Sequence, residues 1–235
     1  MGRRPGGELA TRPLHFIWIA DCSGSMRSGG KIQALNTAIR EAIPHMQTVA
    51  EENPNARVLV QAIKFADGAQ WHIADPVPVA NFRWTDLSAD GQTDMGKALS
   101  MVADQLKIPP MTDRALPPVL VLISDGQPTD DFERGLKALL AQPWGKKAVR
   151  IAIAIGDDVD QDVLQTFIGN AEFKPLQANN PEALVRQIRW VSTAVLQAAS
   201  APASQTTVHL AAGVNVPLPA LPSPAPDPQQ ADDVW

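Results

Sequence analysis

The stretch LHFIWIA at residues 14–20 carries one polar side chain, His15, and stops on Asp21. A β-rich run that is apolar at both odd and even positions leaves no face for water, so it predicts a strand covered on both sides. Three further runs are bounded by turn residues: VLVQAIKF at 58–65, VLVLIS at 119–124 and VRIAIAIG at 149–156. AQWHIA at 69–74 follows KFADG closely and reads as a hairpin partner at one edge. Between the runs, apolar residues recur at helical spacing over 32–49, 95–106, 132–140, 163–168 and 183–196. The first of these helices is expected to kink or break near Pro44, and Pro181 suits the first turn of the last. Strands alternating with helices predict an α/β fold: a doubly wound, mostly parallel six-stranded sheet with one antiparallel edge strand and helices on both faces. Such sheets bind ligands at the carboxyl ends of the strands, where the strand order reverses.

At 235 residues and 45% hydrophobic, the chain has material for one sizeable core with extensions. The division expected is a flexible N-terminus at 1–11, one domain at 12–198 and a flexible tail at 199–235. The tail is rich in Ala, Pro and Ser, with no Asp, Glu, Lys or Arg between Arg189 and Asp227. Its prolines oppose helix and central strand alike, leaving TTVHLAA as a possible short strand. At its end, Trp235 offers an apolar anchor beside Asp232 and Asp233, suited to a second contact with a partner. A net charge of −5 argues against a nucleic-acid or anionic-membrane surface. The single cysteine allows no internal disulfide, and no long apolar segment follows the first arginines. Together these predict a cytoplasmic protein.

The chemistry concentrates where the first strand ends. In DCSGSM, alternate residues Asp21, Ser23 and Ser25 can aim three oxygens at one point, with Gly24 keeping the turn tight. VLVLISDGQ ends a second buried strand on Asp125, and SADGQTDMGK places Thr93 in a glycine-containing loop before a helix. Strands ending at Asp21 and Asp125 can be neighbours across the switch point, with the Thr93 loop closing over them. Five oxygen groups without a histidine or a thiolate ligand suit a hard cation: magnesium, with manganese or calcium also acceptable.

Asp-x-Ser-x-Ser, a later Thr and a later strand-end Asp resemble the metal-ion-dependent adhesion site (MIDAS) of von Willebrand factor A (VWA) domains. The matching residues are Asp21, Ser23, Ser25, Thr93 and Asp125, and the resemblance spans roughly 12–198. It implies a VWA, Rossmann-like fold in which the metal bridges to a carboxylate of a protein partner. GKIQALNTAI opening the first helix and IAIGDDVDQDVL after a late strand look most like TerY-type proteins, the stand-alone bacterial VWA proteins of tellurite-resistance clusters. That resemblance implies a non-enzymatic adaptor in a stress or defence signalling module, with a PP2C-type protein phosphatase and a protein kinase as partners. An adaptor subunit of a chelatase or AAA-type ATPase machine is the alternative, and a metal-dependent phosphohydrolase a weaker one.

Enzyme readings find little in the residues. A thiol phosphatase places five residues between Cys and Arg, whereas four separate Cys22 from Arg27. A carboxylate-nucleophile phosphatase wants a second Asp two positions after Asp21, where Ser23 stands. His15, His45, His72 and His209 show no zinc spacing. The acidic run at 157–160 reads as a strand-end loop with a cap for the following helix, and GQPTDDFERG as a polar helix entry. Trp71 and Trp84 read as edge-strand packing or as a binding rim.

Overall fold

A computed structural model describes residues 11–157 and 159–200, with the side chain of every residue in that span. The expectations for the N-terminus, for the tail after Ser200 with TTVHLAA, His209 and the ADDVW end, and for Asp158 lie outside the described residues. The central strand is β1 (Arg12–Asp21), and its two parities face two separate cores. Leu14, Phe16, Trp18 and Ala20 join one hydrophobic cluster, while Ile17 and Ile19 join the other. This is the outcome required of a strand apolar in both registers, since successive side chains alternate across the sheet.

The remaining strands are β2 (Ala56–Ala66), β3 (Gly68–Pro78), β4 (Val119–Ser124), β5 (Val149–Ile155) and β6 (Leu176–Ala178). They form one six-stranded sheet in the order β3-β2-β1-β4-β5-β6. Every pairing is parallel except β2 with β3, which places the antiparallel strand at one edge as the sequence predicts. The fold class is therefore the expected one. β3 runs four residues beyond the predicted 69–74, through Pro76 and Pro78. Proline is tolerated there because an edge strand has amides that need not join a ladder. β6 has three residues, too short to leave a periodic signal.

The helices are α1 (Lys31–Glu52), α2 (Met95–Gln105), α3 (Phe132–Ala141), α4 (Pro143–Lys147), α5 (Gln161–Ile168), α6 (Pro181–Trp190) and α7 (Leu196–Ser200). A π-helical turn, Val191–Val195, joins the last two. α1 and α6 cover one face, and α2, α3 and α5 the other. α1 does not break at Pro44; the helix is continuous across it. An interior proline costs about 3 kcal/mol. Burial of Leu35, Ile39 and Met46 on the same helix outweighs that, at about 1.5–3 kcal/mol per large apolar side chain. The helical end also passes the expected boundary at 198: Ala199 and Ser200 are buried, and Ser200 Oγ accepts from Asn53 Nδ2 at 2.7 Å. Among the described residues no helix is long and apolar enough to cross a membrane.

Candidate metal centre

The sheet order reverses between β1 and β4, and both strands end there on carboxylates. Their register runs to Ala20 opposite Ile123, so Asp21 and Asp125 emerge on neighbouring strands at the same edge of the sheet. Asp21 is fully buried, and each of its oxygens is held. Oδ1 accepts the Ser23 backbone N–H at 2.8 Å, and Oδ2 accepts the Ser124 hydroxyl at 2.5 Å. The first bond curls the chain back at the end of β1, and the second ties that turn to β4.

Ser23 and Ser25 lie on the segment that follows. Their hydroxyl oxygens are 2.9 Å apart, and Ser25 Oγ donates to Asp125 Oδ1 at 2.7 Å. The other oxygen of Asp125 accepts from Lys31 Nζ at 2.8 Å. Gly29 and Gly30, with φ of 62° and 75°, turn the chain into α1, whose first residue is Lys31. Those left-handed angles favour glycine, which has no Cβ to clash.

Thr93 arrives from the other side on the loop before α2. The Gly24 amide donates to the Gly91 carbonyl at 2.9 Å and the Asp90 amide to the Cys22 carbonyl at 2.8 Å, so the two loops are clamped together. A Cβ added at Gly126 would lie 3.8 Å from both Ser25 Oγ and Thr93 Oγ1, so the two hydroxyls flank the glycine that follows Asp125. Asp130 supports this arrangement by accepting the Gly96 and Lys97 amides, each at 2.8 Å, which caps the first turn of α2 beside Thr93. All five predicted residues thus converge from three segments of chain: 21–25, the Thr93 loop and the end of β4.

The donor set fits a divalent ion. Burial pushes the Asp21 carboxyl up to about 6, against weaker opposing hydrogen bonds from Ser124 and Ser23, and the charge of Asp125 pushes it the same way. Two buried carboxylates beside one ammonium, Lys31, leave a net negative charge that a divalent cation would offset. Among the described residues no group of three or more His, Cys, Asp or Glu could hold a metal. Hydroxyl oxygens beside two carboxylates would make a hard donor set for a divalent ion.

Sequence reasoning missed three supports of the site. Lys31 lies in GKIQALNTAI, where nothing in the sequence marks it for the site. Ser124 ends an apolar strand with no mark that its hydroxyl meets Asp21. Asn36 is a buried residue in α1 that accepts from Trp84 Nε1 at 3.0 Å and from the Leu87 amide at 2.9 Å, while its Nδ2 donates to the Leu87 carbonyl at 2.9 Å. It pins the loop that leads to Thr93. A polar position within a helical stripe was the available signal. Trp84 packs edge-to-face on His72, with ring centroids 4.9 Å apart, and Trp71 packs against the α2 side of the sheet, which favours the packing reading for both. Asp160 caps α5 by accepting the Asp162 and Val163 amides, both at 3.1 Å, and Asp131 caps α3 through the Arg134 amide at 2.9 Å. Cys22 is buried and its thiol is pushed up to about 12 by that burial, the reverse of what a nucleophilic cysteine needs.

Residues 16–127 match the von Willebrand factor type A domain family. A von Willebrand factor type A protein from Catenulispora acidiphila has the same fold, with a TM-score of 0.60 and 18% identity over 80% of this chain and 43% of that one. The pilus adhesin SpaC of Lactobacillus rhamnosus GG superposes with a TM-score of 0.63 at 14% identity, over 80% of this chain and 31% of its own. Proximal thread matrix protein 1 of the mussel byssus, in a form with a zinc-occupied MIDAS motif, gives 0.60 at 15% identity over 81% of this chain and 50% of its own. This chain therefore spans half or less of the length of those proteins. No curated protein shows significant sequence similarity to it. The family match over residues 16–127 is thus consistent with the VWA, Rossmann-like fold of the chain.

Proposed function

We propose that the protein is a magnesium-dependent protein-binding adaptor without catalytic turnover. The observation that carries this reading is the convergence of Ser23, Ser25 and Thr93 hydroxyls with Asp21 and Asp125 at the switch point of the sheet. These five residues would hold the ion. When bound, it would supply an exposed Lewis-acidic position that takes a carboxylate from a partner. Neutral hydroxyls leave much of the ion's charge uncompensated, which suits capture of an acidic side chain. The zinc-occupied MIDAS motif of the mussel protein, on a similar fold, supports metal binding at this place.

A binding role also fits the contacts of the described histidines. His15 faces Gln61, the His72 ring nitrogen lies 2.8 Å from the Thr85 carbonyl oxygen, and His45 meets Arg189, so each of these histidines is engaged elsewhere. The carboxylates are held by hydroxyls, an amide and an ammonium. We assign the adaptor to a cytoplasmic bacterial stress or defence module of the TerY type, with a PP2C-type phosphatase and a protein kinase as partners. An adaptor of a chelatase or AAA-type ATPase differs in the partner alone. The test is affinity capture from the native host's lysate with immobilised full-length protein, in magnesium or in EDTA, alongside Asp125→Ala. The expected result is a partner retained by wild type in magnesium and lost in both other arms, its identity separating kinase or phosphatase from ATPase. Retention indifferent to EDTA and to Asp125→Ala would overturn the metal-bridged role.

A further inference from the structure

Lys31 is the one cation whose ion pair, among the described residues, is shielded on both sides. Its side chain is 15% exposed and that of Asp125 fully buried, whereas the Arg27–Asp90, Arg40–Asp86, Lys97–Asp94 and Lys107–Asp104 pairs all include a side chain at least half exposed. Its place on the helix is also unfavourable by itself. A cation at the first residue of α1 opposes the helix dipole, and the first turn contains no acidic residue to offset it. The compensation comes from across the site, where Asp125 Oδ2 accepts its proton at 2.8 Å while Oδ1 accepts from Ser25.

We propose that Lys31 is a built-in counter-cation of the metal centre, which holds Asp125 in place without metal and competes with the divalent ion for that carboxylate. This rests on the metal-binding reading above. With both carboxylates ionised, Asp21, Asp125 and Lys31 sum to −1. A divalent ion brings the site to +1, so Lys31 weakens metal binding while leaving a positive face toward an acidic ligand. Neutralising it would leave a site of zero net charge that holds metal more tightly and attracts acidic groups less.

The test is a calorimetric titration of full-length protein with Mn2+ alone, comparing wild type, Lys31→Met, Lys31→Arg and Asp125→Ala. A charge at this range changes the affinity of a neighbouring site for a cation by one to three powers of ten, so Lys31→Met should bind Mn2+ at least about tenfold more tightly. Lys31→Arg should stay near wild type, and Lys31→Gln repeats the neutral substitution with a polar side chain. A residue that merely props the loop would give weaker binding when removed. Metal-free Lys31→Met should also melt lower than wild type, because it leaves the Asp125 charge buried and unpaired. Unchanged or weaker Mn2+ binding in both neutral variants, with binding still lost in Asp125→Ala, would overturn the inference and leave the metal centre standing. No Mn2+ binding by wild type or by any Lys31 variant would remove the metal reading and this inference with it.

Discussion

Asp21 sits where a carboxylate is costly, out of contact with water and facing a second acid, and the chain spends a strand end, a serine hydroxyl and a backbone amide to hold it there. Alone, Asp21, Ser23 and Ser25 at the end of an apolar strand could as well form a helix-capping turn; they were legible as a site because Thr93 and Asp125 occur in matching loop and strand-end positions. Lys31 and Ser124 were not, because a lysine opening a helix and a serine ending a strand are each ordinary in isolation, and only tertiary contact gives them a role. His15 provides a separate check on burial. It is buried on β1, and desolvation holds its pKa below the usual 6.5 despite the contact with Gln61. The unfolded chain takes up a proton near pH 6.5 that the folded state resists, so this contribution is intact above that pH and is lost as pH falls below it. Asp21 works in the opposite sense: its raised folded value makes the metal-free protein lose stability as pH rises from about 4 to about 6. The comparison that isolates His15 is therefore wild type against His15→Gln. Denaturant midpoints should show wild type losing ground to the variant as pH drops below about 6.5, and a pH-independent difference would contradict the assignment.

At the scale of elements, the site depends on how closely α2 and α3 approach. A Cβ at Gly135 would lie 2.2 Å from the Gly96 carbonyl oxygen, and one at Gly96 would lie 2.3 Å from the carbonyl oxygen of Asp131. The two glycines let the helices touch backbone to backbone, which brings Asp130 over the first turn of α2 and fixes the loop carrying Thr93. In an open helix Gly→Ala stabilises by up to about 1 kcal/mol. Here overpacking against backbone reverses the sign, so Gly135→Ala should destabilise by roughly 1–3 kcal/mol and lower the melting temperature by several degrees. Calorimetric melting would measure it, and a higher melting temperature in the variant would refute the close approach. The amphipathic pattern gave these helices to within one or two residues at most ends, but not the glycine contact, because periodicity reports which face is buried and not how near the neighbour lies. The short elements escaped for a related reason. β6 and α4 have three and five residues, fewer than two full cycles of the strand or helix period, so no repeat can be seen. At Pro44 the helix does not break, because burial of its apolar face outweighs the cost of the proline.

For the molecule as a whole, strands of doubled parity dictate two cores, two cores require helices on both faces, and the connections place the reversal between β1 and β4. That chain of consequences is why the neighbourhood of the strands ending at Asp21 and Asp125 and the location of the site could be read together from the sequence. The partner could not, since fold and site define what kind of group is bound and not which protein carries it. The account turns on whether five oxygen groups from three segments hold a cation. The most direct measurement is the melting temperature of the full-length protein against magnesium or manganese concentration. A ligand that binds only the folded state stabilises it by about 2.7 kcal/mol at a hundredfold excess over its Kd. For a chain of this size that corresponds to a rise of roughly 5–10 °C. Wild type should show this rise, Ser25→Ala a smaller one, and the combined Asp21→Ala and Asp125→Ala variant none. The same metal-dependent rise in that double variant would contradict the assignment of the site.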